Sequence, residues 1–474
     1  MPQKIHLWNT KNRPAVGRFS SLAELGLRPI QAEPVHIHRE RAAGMTIRKR
    51  LIAWALLTTV AAGVGLAGLG QAATGTAPAN KWLWAVAHHI PSEYTNQESG
   101  YFSLIEGRNG RLYVGAAKYG VNSYMVEFDP NTDNMRLAVD THKEIGTNAT
   151  GFAAQSKIHT RNNVGESGRI YFGTKQGYPQ KGETWNNYPG GYPMVYDPAT
   201  GKTKVYPIPI ANQGIISVTP HEWRNVAYIS THSDGQPAPS AHFMILDLAT
   251  GKYRDLGDMN QVFAFIVVDD LGRAYHPLPD GTIARYDPAA DKVEILKQTI
   301  DGKPPTPESG LVKSDCISWE ISPDRKTLYA VSIYTNQLYS YDLMAKGDAI
   351  PGKSLGQPQP GAAKIDCRAM CVGPDGTVWI GLGSSTGEHM HLARYRPGDK
   401  APENLGPIAI KNPDYAPMVD KDGKPLLLRQ GIVKDPDGTL WPRYYNMAIC
   451  ASANGKVYMT TLYPFTLLEI AVPK

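Results

Sequence analysis

Tyr101–Ala117 reads YFSLIEGRNGRLYVGAA, and His159–Lys175 reads HTRNNVGESGRIYFGTK. The two segments align without a gap. Each is a short apolar strand, a turn of small polar residues, and a second strand reading aromatic-x-Gly. Five further copies follow at Ile216–His232, Phe263–Pro279, Cys316–Ile333, Cys367–Gly383 and Asn446–Leu462. Their aligned second-strand aromatics are Tyr113, Tyr171, Tyr228, Tyr275, Tyr329, Trp379 and Tyr458, spaced 47 to 79 residues apart. Self-similarity at this period marks a repeat architecture.

A second pattern follows the hairpins: an alternating strand running into EFDPNTD, VYDPATGK, ILDLATGK, RYDPAADK or SYDLMAKG. Pro presets φ and Gly accepts positive φ, so these are tight turns. Four strands in about 40–60 residues make a propeller blade. The last unit has only three strands, ending LLEIAV, and Lys81–Ile90 (KWLWAVAHHI) can add the fourth. That closes the ring and removes its exposed edges. We expect an all-β chain folded over residues 81–474 as a seven-bladed β-propeller of four-stranded antiparallel blades. Asp435–Trp441 (DPDGTLW) repeats the hairpin turn too close to Tyr458 for a full blade. We read an inserted hairpin at about 410–443, with eight blades as the alternative. The repeats resemble the YVTN/PQQ-like superfamily of propellers, whose usual third-strand turn is YDPATGK. The resemblance implies a fold and leaves activity open.

The chain has 474 residues, 42% hydrophobic and 19% charged, which excludes global disorder. Its 46 glycines and 37 prolines suit many turns and argue against a helical bundle. The net charge of +6 is uneven. Residues 1–72 hold ten Lys/Arg against three Asp/Glu, and the remainder is close to neutral. The body therefore gives no support to nucleic-acid binding. Arg48, Lys49 and Arg50 precede an apolar run from Leu51 to Gly70, and Gly70-Gln71-Ala72 offers a cleavage site. We read a signal peptide at 45–72, with Met45 as the start and 1–44 as a mis-called extension. An uncleaved anchor is the alternative. The expectation is a periplasmic or secreted monomer with no stable membrane insertion.

In a blade the first strand begins and the second ends on the same face of the disc. This brings Tyr101, Lys157, His159, Lys175, Tyr192, His232 and His242 to one channel mouth, with Arg368 and Asn446 reaching it from later blades. Titratable groups converging in a concave mouth are the default sign of a site. The loop 176–193 adds Tyr178, Trp185 and Tyr188, flat faces suited to a sugar ring.

We expect a carbohydrate-active lyase that cleaves an acidic polysaccharide or oligosaccharide by β-elimination. His159 or His232 would be the base, Tyr192 or Tyr101 the acid, and Lys157, Lys175 and Arg368 the carboxylate clamp. Trp185, Tyr188, His242 and Asn446 would contact the sugar. A His at an inner-strand start resembles the layout of propeller polysaccharide lyases of the ulvan lyase type, although Lys175 stands where that layout implies a second His. No cofactor is required, but Ca²⁺ or Zn²⁺ is possible, with His232, His242, His389 and His391 as candidate ligands. The alternatives are a non-catalytic ligand- or protein-binding propeller and a metal-dependent hydrolase or lactonase on the same face. Cys316 and Cys367 match in neighbouring blades, as do Cys371 and Cys450. They are either bridges or small buried hydrophobes.

Overall fold

The second-strand aromatics lie deep inside the fold: Tyr113, Tyr171, Tyr228, Tyr275, Tyr329, Trp379 and Tyr458 are all buried. They do so in a computed structural model that describes residues 82–473, except 233–240, 260–264, 308, 312–317, 334, 362–364, 385–388, 413–414, 417, 419–430 and 444–447. The extension expected at 1–44 and the signal peptide expected at 45–72 lie outside the described residues, as do Cys316 and Asn446.

The chain is a seven-bladed propeller. Blade one is Glu98–Glu106, Leu112–Lys118, Asn122–Asp129 and Asn134–Asp140. The following blades occupy 157–205, 214–258, 267–300, 319–356 and 365–410. Blade seven is Ile449–Ala451, Lys456–Thr461 and Thr466–Ala471, and the N-terminal strand Leu83–His89 completes it. That strand pairs antiparallel with Thr466–Ala471, His89 opposite Thr466 and Ala85 opposite Ile470. It also lies parallel to blade six, Leu83 opposite Ile408. The outer strands of blades four and five pair in the same way, Lys297 opposite Ala349. A hairpin of Gly431–Lys434 and Leu440–Arg443 adds to the outer strand of blade six through Ile410 and Leu440.

One contact recurs between blades. The second-strand aromatic of each of four blades faces the third-strand aromatic of the next, where the sequence reads aromatic-Asp or Arg-Tyr. Tyr113 meets Tyr196 with centroids 5.9 Å apart, Tyr228 meets Tyr286 at 6.0 Å, and Tyr329 meets Tyr395 at 6.3 Å. The ring closes through Tyr458 of blade seven and Phe128 of blade one, 6.3 Å apart. Such tilted pairs add about 0.5–1.5 kcal/mol each beyond the area they bury. The third-strand turns follow one design. Asp197 Oδ1 accepts from Ala199 N at 2.9 Å, and Gly201 takes φ +69. Asp133 and Asp291 hold the same left-handed position in blades one and four, at φ +57 and +51.

Burial also sets a pH limit. His276, in the second strand of blade four, is fully buried. Its Nδ1–H donates to Pro277 O (2.8 Å), which leaves Nε2 to accept from the Ser230 hydroxyl (3.2 Å). Burial pushes its pKa down from 6.5 to about 4. Unfolding between those values takes up a proton, so this group's contribution is full above about pH 6.5 and shrinks as pH falls toward 4. The loss is about 3 kcal/mol over the window. Urea titrations across pH 4–7 should show a shallower decline in stability for His276→Gln than for the native chain. Parallel declines would contradict this assignment.

Candidate functional site

The first strand of blade two is interrupted: Lys157–Ile158 and Asn163–Val164 are strands, and between them 159–162 is irregular except for a bridge from Arg161 to Ser217 of blade three. Lys157 is opposite Ala117 of blade one and Lys175 of its own blade, so it sits between the two blades. Its Nζ lies 5.0 Å from the ring centre of Tyr101, 5.5 Å from Tyr119 and 4.9 Å from Tyr178. Three aromatic faces hold one ammonium by cation–π attraction. Tyr101 has φ +71, a left-handed conformation that is costly for an aromatic residue. Its hydroxyl is 3.2 Å from that of Tyr178, and its ring is 4.9 Å from His159.

His159 is packed between neighbours, its ring also edge-to-face with Phe102 at 5.5 Å. Phe102 reaches Phe265 of blade four at 4.8 Å. The next charged residue, Arg161, crosses the channel. Its guanidinium donates to Trp319 O (2.5 Å) and Glu320 Oε2 (2.8 Å) of blade five and lies 4.5 Å above the Phe265 ring. Trp319 Nε1 in turn donates to Phe265 O. A second pair joins blades two and five with the charges exchanged: Arg325 donates to Glu166 Oε1 at 3.4 Å. Aromatic rings and a paired guanidinium thus occupy the channel behind the mouth.

The remaining expected residues are placed as follows. Lys175 and His232 are buried, 2% and 4% exposed. They approach through Gly214, which is opposite His232 and whose Cα lies against the Lys175 stem; a Cβ there would come 2.4 Å from Lys175 Cγ. Arg368 forks onto Asp366. Tyr188 is fully buried and donates to Gln155 Oε1 at 2.8 Å, where Thr174 also donates. Trp185 packs edge-on against Phe152 at 5.1 Å, and Tyr192 packs on the core shared by blades one and two. Glu183 accepts from Phe152 N and Gln180 N, both 2.8 Å. Within the loop 176–193 Tyr188 is thus buried and Trp185 half-buried, while 180–182, 184, 186–187 and 189 are exposed.

The expected metal ligands are dispersed. His242 Nδ1 is 2.8 Å from Asp255 Oδ2. His391 Nδ1 is 3.1 Å from Asn404 Oδ1. His389 packs edge-to-face with Trp441 at 4.4 Å and lies 3.8 Å from Asp435. Among the described residues the group of three close enough to share an ion is His88, Asp133 and Glu469, none of which the repeat alignment singled out. Cys367, Cys371 and Cys450 are free buried thiols; burial pushes Cys450 up to about 12.

Two exposed side chains were missed on the opposite face. Trp223 is 84% exposed in the hairpin turn of blade three, and Leu271 is 60% exposed in that of blade four. The turns touch: a Cβ on Gly272 would come 2.9 Å from His221 Nε2. They are held by a network. The Ser167 hydroxyl donates to Glu222 Oε1 (2.7 Å), Glu222 N to Glu166 Oε2 (3.2 Å) and Asp270 N to Arg325 O (3.1 Å). The alignment carried a signal, since HEWRN places a Trp, and DDLGR a Leu, where the other hairpin turns have no large apolar residue.

No family model and no curated protein matches the chain. Solved structures similar to it include U3-55K, 8% identical over 81% of this chain and 98% of that one, TM-score 0.49. The RRP9 WD40 repeats are 7% identical over 82% and 97%, TM-score 0.48. The Cps50 (Swd1) β-propeller domain of Myceliophteria thermophila is 10% identical over 78% and 96%, TM-score 0.48.

Two expectations are corrected here. The polysaccharide lyase is not upheld: His159, Lys175, Arg368 and Tyr188 are all buried, with Arg368 held by Asp366 and Tyr188 by Gln155. The periplasmic or secreted placement is likewise not upheld, and the segment it rested on, 45–72, lies outside the described residues. No helix among the described residues is long and apolar enough to cross a membrane.

If Arg161 is a strut, Arg161→Met should cost about 2–4 kcal/mol by leaving Glu320 and Trp319 O without their donor. Arg161→Met combined with Glu320→Leu should recover part of that loss in a denaturant double-mutant cycle. Additive effects would remove the strut.

Proposed function

We propose that the chain is a non-catalytic protein-binding propeller that docks its partner on the turn face of blades three and four. The observation that carries this reading is Trp223, 84% exposed on a turn that its neighbours hold rigid. An indole held out in water is a cost unless a partner covers it, and exposed aromatics on rigid supports anchor interfaces. Leu271 extends the apolar patch, while Arg224 and Arg325 stand beside it. The expected partner offers an apolar pocket with an acidic rim. The channel residues then serve as scaffold: Lys157, His159 and Arg161 hold blades together and keep the turn face from flexing. The Asp197 and Asp247 turns, each closed by Asp side-chain hydrogen bonds and a left-handed Gly, favour a YVTN/PQQ-like lineage for the repeats.

The test is a photocrosslinking residue placed at position 223, with position 295 as the control, since Ile295 is also exposed but lies on an outer strand. A defined adduct at 223 that is absent at 295, and lost in Leu271→Asp, supports the reading. Trp223→Ala should keep its unfolding free energy within about 0.5 kcal/mol. Equal labelling at both positions would contradict a docking face.

A further inference from the structure

The seam where Leu83–His89 closes the ring contains an unsatisfied nitrogen. His88 is 10% exposed, and its ring packs on Phe128 of blade one with centroids 4.5 Å apart. Its Nε2 is buried without a hydrogen-bond partner, 3.8 Å from Glu469 Oε2 on the adjoining strand. His88 and Glu469 are on the same side of that strand pair, because Glu469 is opposite Val86, two residues before His88. Asp133, on the turn of blade one, brings the third ligand atom; all three lie within 4.8 Å of one another.

The equivalent place between blades three and four shows what is missing. Asp291 occupies the turn position of Asp133, and there it accepts from Arg254 of the neighbouring outer strand and from the Tyr286 hydroxyl (2.7 Å). At the seam, Phe128 replaces Tyr286 and has no hydroxyl, and an imidazole from the closing strand stands near the Asp in place of a guanidinium. The arrangement holds two carboxylates and an imidazole nitrogen that has no hydrogen-bond partner and lies at ion-pair distance from Glu469.

We propose that His88, Glu469 and Asp133 form a Zn²⁺ site that staples the closing strand to blades seven and one. Imidazole and carboxylate are ordinary zinc ligands, and three protein ligands leave a fourth place for water. Ca²⁺ and Mg²⁺ prefer an all-oxygen set and more ligands. Ligand atoms around tetrahedral zinc lie about 3.3 Å apart. The His88–Glu469 separation therefore contracts by a few tenths of an ångström, and the exposed Asp133 side chain swings in. Tyr458 donates to Glu469 Oε2 at 3.1 Å, and Lys456 pairs with the other oxygen, which orients the carboxylate. The nearby ammonium weakens the site, so affinity is in the micromolar range.

The experiment is zinc titration by calorimetry on the chelator-stripped full chain, with Co²⁺ absorbance as a second readout. The native protein should bind one Zn²⁺ that the variants lose, and zinc at about 100-fold over its dissociation constant should raise the unfolding temperature by about 3 °C. Asp133→Asn preserves the left-handed turn preference, so it should fold normally yet bind at least tenfold more weakly. His88→Gln should abolish the site and its tetrahedral cobalt bands. No zinc binding by the native chain overturns the proposal. So does zinc binding of unchanged affinity in both variants, which would place the ion elsewhere.

Discussion

The packing of each blade's second-strand aromatic against the third strand of the next is the contact on which the ring depends. A blade is a small twisted sheet that cannot bury both faces alone. Tyr113 on Tyr196, Tyr228 on Tyr286 and Tyr329 on Tyr395 join adjacent sheets at one depth. Where the third-strand residue is aliphatic, as at Leu246, the same position still joins the neighbouring core with Tyr171. The seam repeats the contact with Tyr458 and Phe128, so the chain ends are tied by the interaction that joins three other pairs of blades. Glu106 of blade one adds a second tie, accepting from the Ser452 hydroxyl (2.6 Å) and Ala453 N (2.8 Å) of blade seven.

The interior of the ring is then a packing problem before it is a chemical one. Seven inner strands leave an axial space that must be wet or filled. Here blade two enters it, sending Arg161 across to blade five and setting His159 among Tyr101 and Phe102. A guanidinium does this well, since its planar fork satisfies a carbonyl and a carboxylate together while its face lies on Phe265. Lys157 uses the same logic with three tyrosine rings. The strain at Tyr101 is held by these contacts, because the tyrosine must point inward to complete the cage.

The architecture was legible in the sequence because its signals are local. The hairpin turns, the aromatic-x-Gly strands and the Asp-Pro turns each specify a short stretch, and their recurrence specifies the ring. The missing fourth strand of the last unit was legible for the same reason. What could not be read is how side chains from distant blades meet. Alignment brings Lys157, His159 and Lys175 to one rim, but it cannot say that tyrosines enclose the first and that a neighbour two residues on, Arg161, spans the channel. A cluster of cations and imidazoles in sequence looks the same whether it lines a pocket or fills one. Trp223 was the reverse case: its turn departs from the other copies, and that local departure was visible without any knowledge of the ring.

Hydrogen–deuterium exchange of the intact chain tests the filled interior most directly. Amides in 98–106, 157–164 and 319–321 should exchange only with global unfolding, at rates matching the outer core of each blade. Fast exchange confined to these inner segments, with the blades still protected, would mean an open and solvated centre, and the account of a braced scaffold with its working surface on the turns would fail.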